Sequence, residues 1–213
     1  MANNAAAPIP LEDEQRICES SLHPLIADRR SLLAFASTLV DSEVLVSLME
    51  AARWAPSSMN EQPWSFIVAT KANKADFDRL LGCLVEFNFQ WAQHAPVLLL
   101  SAARLTFAST GELNRHAFHD VGQAIANLTF QAMVSGLVVH QIAGFDVEKA
   151  RREFLIPQDY EPVAVAAIGY PGTPASLPEK LRNRDASPRQ RKPLTSFVFE
   201  GGWGHSAACT RRT

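Results

Sequence analysis

Residues Ala51–Val68 read AARWAPSSMNEQPWSFIV: the end of a helix, a polar loop stiffened by two prolines, and the start of a strand. Upstream, Val44, Leu45, Leu48, Ala51 and Ala52 recur at helical spacing, so a helix is expected over Glu43–Trp54 with Asp41 placed to cap it. Pro56 stops that helix, and Trp64–Ala69 has the composition of a strand. Between them, Ser57, Ser58, Asn60 and Gln62 offer a dense mixture of donors and acceptors on a restrained backbone. Such a loop suits a flat heterocycle whose edge alternates donors and acceptors, and equally an ordinary polar turn.

Working outward, Asn73 is placed to cap a helix running to about Val85, and Val97–Ser101 has strand length. Asn114 to about Gly136 is the most helical part, with Phe118, Val121, Ala124, Ile125, Leu128, Ala132 and Met133 covering a broad face. Gly136 is a natural helix stop. Leu137–Ile142 then reads as a strand, Val147–Phe154 as a helix capped by Asp146, and Val163–Tyr170 as a strand closed by Pro171–Gly172. Alternation alone predicts an α/β chain with a parallel sheet. The glycine-rich turns G-x-G-x-x-G and G-x-x-x-x-G-K-[ST] are both absent, so any phosphate must be held by arginines.

The chain has 213 residues, 47% hydrophobic and 20% charged, which fits one domain with a sizeable core. Residues 21–204 are expected to form it, after a partly frayed extension over 1–20 and before a tail over 205–213. A net charge of −2 argues against a nucleic-acid binder. No apolar run is long enough to span a membrane, and MANNAAAPIP lacks the features of a signal peptide. Cys18, Cys83 and Cys209 are odd in number and far apart, which suits a reducing, cytoplasmic setting. Charge is uneven: Arg182, Arg184, Arg189, Arg191 and Lys192 cluster near one end, and Arg29–Arg30 near the other.

Four segments carry the candidate chemistry. In Asp28–Phe35, DRRSLLAF, Arg29, Arg30 and Ser31 provide fork donors and a hydroxyl suited to phosphate. The second is PSSMNEQPW, Pro56–Trp64; the third is HQIAGFD, His140–Asp146; the fourth is RQRKP, Arg189–Pro193, with two arginines spaced i, i+2. A solvated helix end, a polar turn, a capped turn and a basic tail are the plain alternatives. Together, in this order, they resemble the FMN-dependent nitroreductase family, and FEGGWG, Phe199–Gly204, resembles the C-terminal arm of one branch.

That resemblance implies an α+β, three-layer fold: a mixed, mainly antiparallel sheet flanked by helices, with an extended C-terminal arm. It implies a homodimer with two composite FMN sites. Arg29, Arg30, Ser31, Arg189 and Arg191 would come from one chain, and Pro56, Ser57, Ser58, Asn60 and Gln62 from its partner. Gln141, Ile142, Ala143 and Gly144 would lie over the flavin with a backbone N–H toward N5, and Asn88 would also face the cofactor. NADH or NADPH would deliver hydride to the flavin, and an electron-poor acceptor such as a nitroaromatic or quinone would then take it in a ping-pong cycle; the alternatives on the same fold are enoate or imine reduction, dehalogenation, flavin fragmentation, or non-catalytic FMN binding. No side chain need act as a catalyst, because flavin N5 does the chemistry.

Two positions depart from the family pattern. Leu33 and Trp91 stand where members usually carry cations near flavin N1 and O2, so reduced FMN is expected to be less stabilised unless Arg30 or Asn88 substitutes. Trp91, His116 and Phe118 are candidates for the substrate opening, Trp91 being equally compatible with a core position. His116-x-x-His119-Asp120 has helical spacing for a metal, but no further ligands are evident, so none is expected. Ser57 or Ser58 as a hydrolytic nucleophile is disfavoured by the missing G-x-S-x-G.

Overall fold

Val97–Arg104, VLLLSAAR, is buried at all but its last residue because both of its faces are covered. The computed structural model describes residues 22–210; the expected extension over 1–20, Cys18 and the last three residues lie outside them. The strands are β1 (Trp64–Thr70), β2 (Val97–Arg104), β3 (Val138–Ile142) and β4 (Tyr160–Gly169), in the order β1-β2-β4-β3. Every pairing among them is antiparallel. This corrects the parallel sheet predicted from alternation: spacing shows that helices and strands alternate, not which way each strand returns. The α+β class holds, with the sheet of the described residues wholly antiparallel.

The helices are α1 (Pro24–Ala27), α2 (Ser42–Arg53), α3 (Lys74–Leu81), α4 (Glu86–Ala92), α5 (Ala117–Val134), α6 (Val147–Phe154) and α7 (Glu179–Asp185). On one side of the sheet, Leu48 and Ala52 of α2 and Val121, Ile125 and Leu128 of α5 pack against Val97, Leu99 and Ile168. On the other, Phe77, Leu80, Trp91 and Ala150 pack against Leu98, Leu100 and Ala167, so the sheet lies between two helical layers. The central α5 ends where expected: Gly136, at φ 74°, lets Leu137 N–H donate to the Ala132 carbonyl at 2.8 Å.

One helix expected to reach Val85 stops at Leu81, and α4 follows as a separate element. The cause is tertiary. Leu84 bridges Phe145, Val85 N–H donates to the Gly144 carbonyl at 3.1 Å, and Asp146 N–H donates to the Cys83 carbonyl at 2.8 Å. The chain is thus tied to the exit of β3 before helix resumes.

Candidate functional site

Two basic segments about 160 residues apart meet on one side of the molecule. After β4, the chain doubles back along the segment around Phe35: Ala36 N–H donates to the Tyr170 carbonyl and Gly172 N–H to the Ala34 carbonyl, both at 2.9 Å. Gly172 is needed there, since a Cβ would lie 2.5 Å from the Phe35 carbonyl carbon. This seam delivers α7 to the start of the domain. The Asp185 carboxylate accepts Leu33 N–H at 2.9 Å, and Arg30 Nη2 donates to the Asp185 carbonyl at 2.8 Å and the Ser187 carbonyl at 3.3 Å. Arg189 Nη1 donates to the Arg29 carbonyl at 3.0 Å, and Arg29 Nη1 to Ser31 Oγ at 3.1 Å.

The result is a cavity of about 520 Å³ whose wall includes Arg29, Arg30, Ser31, Arg184, Arg189 and Arg191. Its electrostatics are unbalanced. Burial, then Arg191 and Arg189, push the Arg29 pKa below the usual arginine value. Burial, then Arg30 and Arg191, do the same to Arg189, with Asp28 opposing. Guanidiniums that disfavour one another's charge gain from an anion placed among them, and their planar forks match phosphate oxygens.

His140, on β3, lines the same cavity, and sequence reasoning gave it no role beyond opening the third segment. Its Nδ1 lies 3.1 Å from the Leu32 carbonyl. A carbonyl only accepts, so that nitrogen carries the hydrogen. Burial lowers the His140 pKa most; the Leu32 and Ser31 carbonyls and Asp185 raise it, and Arg184 lowers it. The only available signal was a polar residue interrupting a β-branched strand. Arg184 and Asp185 were likewise visible only as members of a charged stretch.

From His140, β3 runs toward Gly144, roughly 13 Å away at ~3.3 Å per residue. Gln141 and Ala143 are exposed, Ile142 is in the core and Gly144 is half-buried. The Gly144 carbonyl accepts from Val85 N–H and, at 3.0 Å, from Asn88 Nδ2. A Cβ at Gly144 would come within 2.6 Å of that Asn88 nitrogen, so glycine is what allows the clamp.

None of the residues from Pro56 to Gln62 lines the arginine cavity of the same chain. Their loop has an unusual backbone, with Met59, Asn60 and Gln62 at φ 55°, 56° and 52°, the left-handed region that non-glycine residues avoid. Three contacts hold it: Ser58 N–H to Asp120 Oδ2 at 3.0 Å, Gln62 N–H to Ser57 Oγ at 3.0 Å, and Gln123 Nε2 to the Pro56 carbonyl at 3.5 Å. Asp120 is 2% exposed and also lies 3.2 Å from His119 Nδ1. His119 thus belongs to the loop's support; among the described residues no group of three or more His, Cys, Asp or Glu is placed to hold a metal.

Trp91 does not wall a substrate opening of this chain. It is 1% exposed, its ring 4.4 Å from that of His140 and 6.3 Å from that of Phe35, because α4 turns it inward against the sheet. Leu33 is 1% exposed as well. Of the two positions proposed for missing cations, Leu33 is buried yet lines the arginine cavity, whereas Trp91 is a core position outside its lining. His116 and the half-exposed Phe118 stand at the start of α5, outside the arginine cavity.

A model of the Nitroreductase family matches residues 26–170. A crystal structure described as an oxidoreductase containing FMN superimposes with a TM-score of 0.85 at 30% identity, covering 92% of this chain and 100% of that one. A Streptomyces coelicolor protein, provisionally named an NADH dehydrogenase/NAD(P)H nitroreductase, is 28% identical over 172 residues, 72% of this chain and 84% of its own. Iodotyrosine deiodinase 1 of Mus musculus is 25% identical over 197 residues, 80% of this chain and 69% of its own. Antiparallel sheet, converging basic segments and a family match across most of the domain agree: this chain belongs to the nitroreductase family of oxidoreductases.

Proposed function

We propose that the chain is an FMN-dependent NAD(P)H oxidoreductase that reduces nitroaromatics, quinones or similarly electron-poor acceptors in a ping-pong cycle. The observation that carries this is the set of mutually repelling arginines around one cavity, a donor set suited to a phosphate monoester. FMN bound there would supply reversible two-electron transfer. The chain's own residues do the rest. Arg29, Arg189 and Arg191 hold the phosphate, while His140 fixes the Ser31–Leu32 backbone beside it. Asn88 holds the Gly144 backbone in place beside the ring, the missing side chain leaving room for that clamp.

In this reading the molecule works as a cytoplasmic homodimer, the Pro56–Gln62 loop of a second copy closing each site. Two observations support that. The loop avoids its own chain's cavity, and large apolar groups in the loop or next to its ends and anchor are uncovered: Met59 is 88% exposed, Trp54 74%, and Phe118, two residues from Asp120, 50%. Uncovered apolar groups about one loop are typical of an interface.

The test compares FMN with riboflavin, which lacks the phosphate. In Arg191→Ala, loss of one charge-assisted contact should weaken FMN binding by about ten- to a hundredfold. Riboflavin binding should barely change. Wild-type protein that binds FMN no better than riboflavin would overturn the proposal. A panel of nitroaromatics, quinones and an iodinated phenol, run with NADH and with NADPH, then ranks the acceptors and the donor.

A further inference from the structure

Five arginines line the cavity, more than one phosphate engages, and they are not equivalent. Arg191 and Arg189 lower the Arg29 pKa, and Arg30 and Arg191 lower that of Arg189, so Arg29, Arg189 and Arg191 form one triad. Arg30 Nη2 donates to both the Asp185 and Ser187 carbonyls and so holds the end of α7, with its charge felt by Arg189. Arg184 stands elsewhere. Its guanidinium lies 5.2 Å from the centre of the Phe87 ring, and its charge is felt by His140. Phe87 adjoins Asn88, which grips the Gly144 carbonyl. Arg184 therefore stands by His140 and Phe87, and its charge is not among those that shift Arg29 or Arg189.

Resting on the reading that this cavity holds FMN, we propose that Arg184 is the cation of the flavin-ring end, favouring the anionic reduced ring over the neutral oxidised one. Leu33 and Trp91 cannot supply that charge, and both are packed in the core. Asn88 is neutral and already bonded to Gly144. Asp185, the nearby opposite charge, is occupied by Leu33 N–H. The assignment divides the cavity: the triad fixes where the cofactor is anchored, and Arg184 sets how readily it accepts electrons.

The test is a spectroscopic redox titration of FMN-reconstituted wild-type protein, Arg184→Gln, Arg184→Lys and a control, Arg182→Gln. Arg182 lies on the same helix but does not line the cavity. Removing one partly screened charge beside the ring should weaken the preference for the reduced form about tenfold in Arg184→Gln, about 30 mV for a two-electron couple. Arg184→Lys should retain most of that preference, and Arg182→Gln should titrate as wild type. Affinity for oxidised FMN should change far less in Arg184→Gln than in Arg191→Ala. An unshifted Arg184→Gln, or an equal shift in Arg182→Gln, would overturn the assignment while leaving the flavin reading intact. Wild-type protein that takes up no FMN would sink both.

Discussion

Replacing Asp120 by alanine should release the Pro56–Gln62 loop. The Asp120 side chain is 3% exposed, and its Oδ2 accepts Ser58 N–H at 3.0 Å. In alanine that N–H loses a carboxylate partner, and a hydrogen bond to a charged group is worth about 1.5–3 kcal/mol. The bond holds a loop with three non-glycine residues at positive φ, each costing about 1–2 kcal/mol. Once the carboxylate is gone, relaxation of that strain recovers part of the loss. The net destabilisation should therefore be about 2 kcal/mol, which for a domain of this size lowers Tm by about 4–8 °C. The assay is thermal unfolding by circular dichroism without flavin, paired with FMN titration by fluorescence quenching. Asp120→Asn keeps an acceptor oxygen and should lose less than half as much. An Asp120→Ala protein melting within about 1 °C of wild type, with unchanged FMN affinity, would refute the reasoning.

Two further outcomes follow from the same geometry. Gly144→Ala drives a methyl to within 2.6 Å of Asn88 Nδ2 and 3.1 Å of Val85 Cγ2, so the Asn88 clamp must open. Denaturant unfolding should show a loss of about 1–3 kcal/mol, and no loss would mean the clamp is slack. His140 carries a folded pKa below its unfolded value of about 6.5, chiefly through burial. In the window below that value the unfolded chain binds the extra proton, so wild-type stability should fall as pH drops from about 6.5, relative to His140→Gln. Parallel stability–pH curves for the two proteins would remove burial as the cause.

Composition and period were enough to read the local features. Asp146 accepts Lys149 N–H at 2.8 Å at the start of α6, α5 buries Val121, Ala124, Ile125, Leu128 and Ala132 of the stripe its spacing predicts while Phe118 stays half exposed, and Gly136 ends it with a left-handed turn. These rest on dihedral preferences and hydrogen bonds within a few residues, which composition and period encode directly. The helix–loop–strand at Ala51–Val68 was legible for the same reason. Tertiary structure decided what depends on distant partners: the antiparallel return of every strand, the break between α3 and α4 imposed by Phe145, and the burial of Leu33 and Trp91. It also decided which arginine does what. Arg30 is committed by carbonyls 155 and 157 residues away, and the Pro56–Gln62 loop is held by a carboxylate 62 residues downstream of Ser58. No period or propensity records such pairings, because their energy exists only once packing has brought the two segments together.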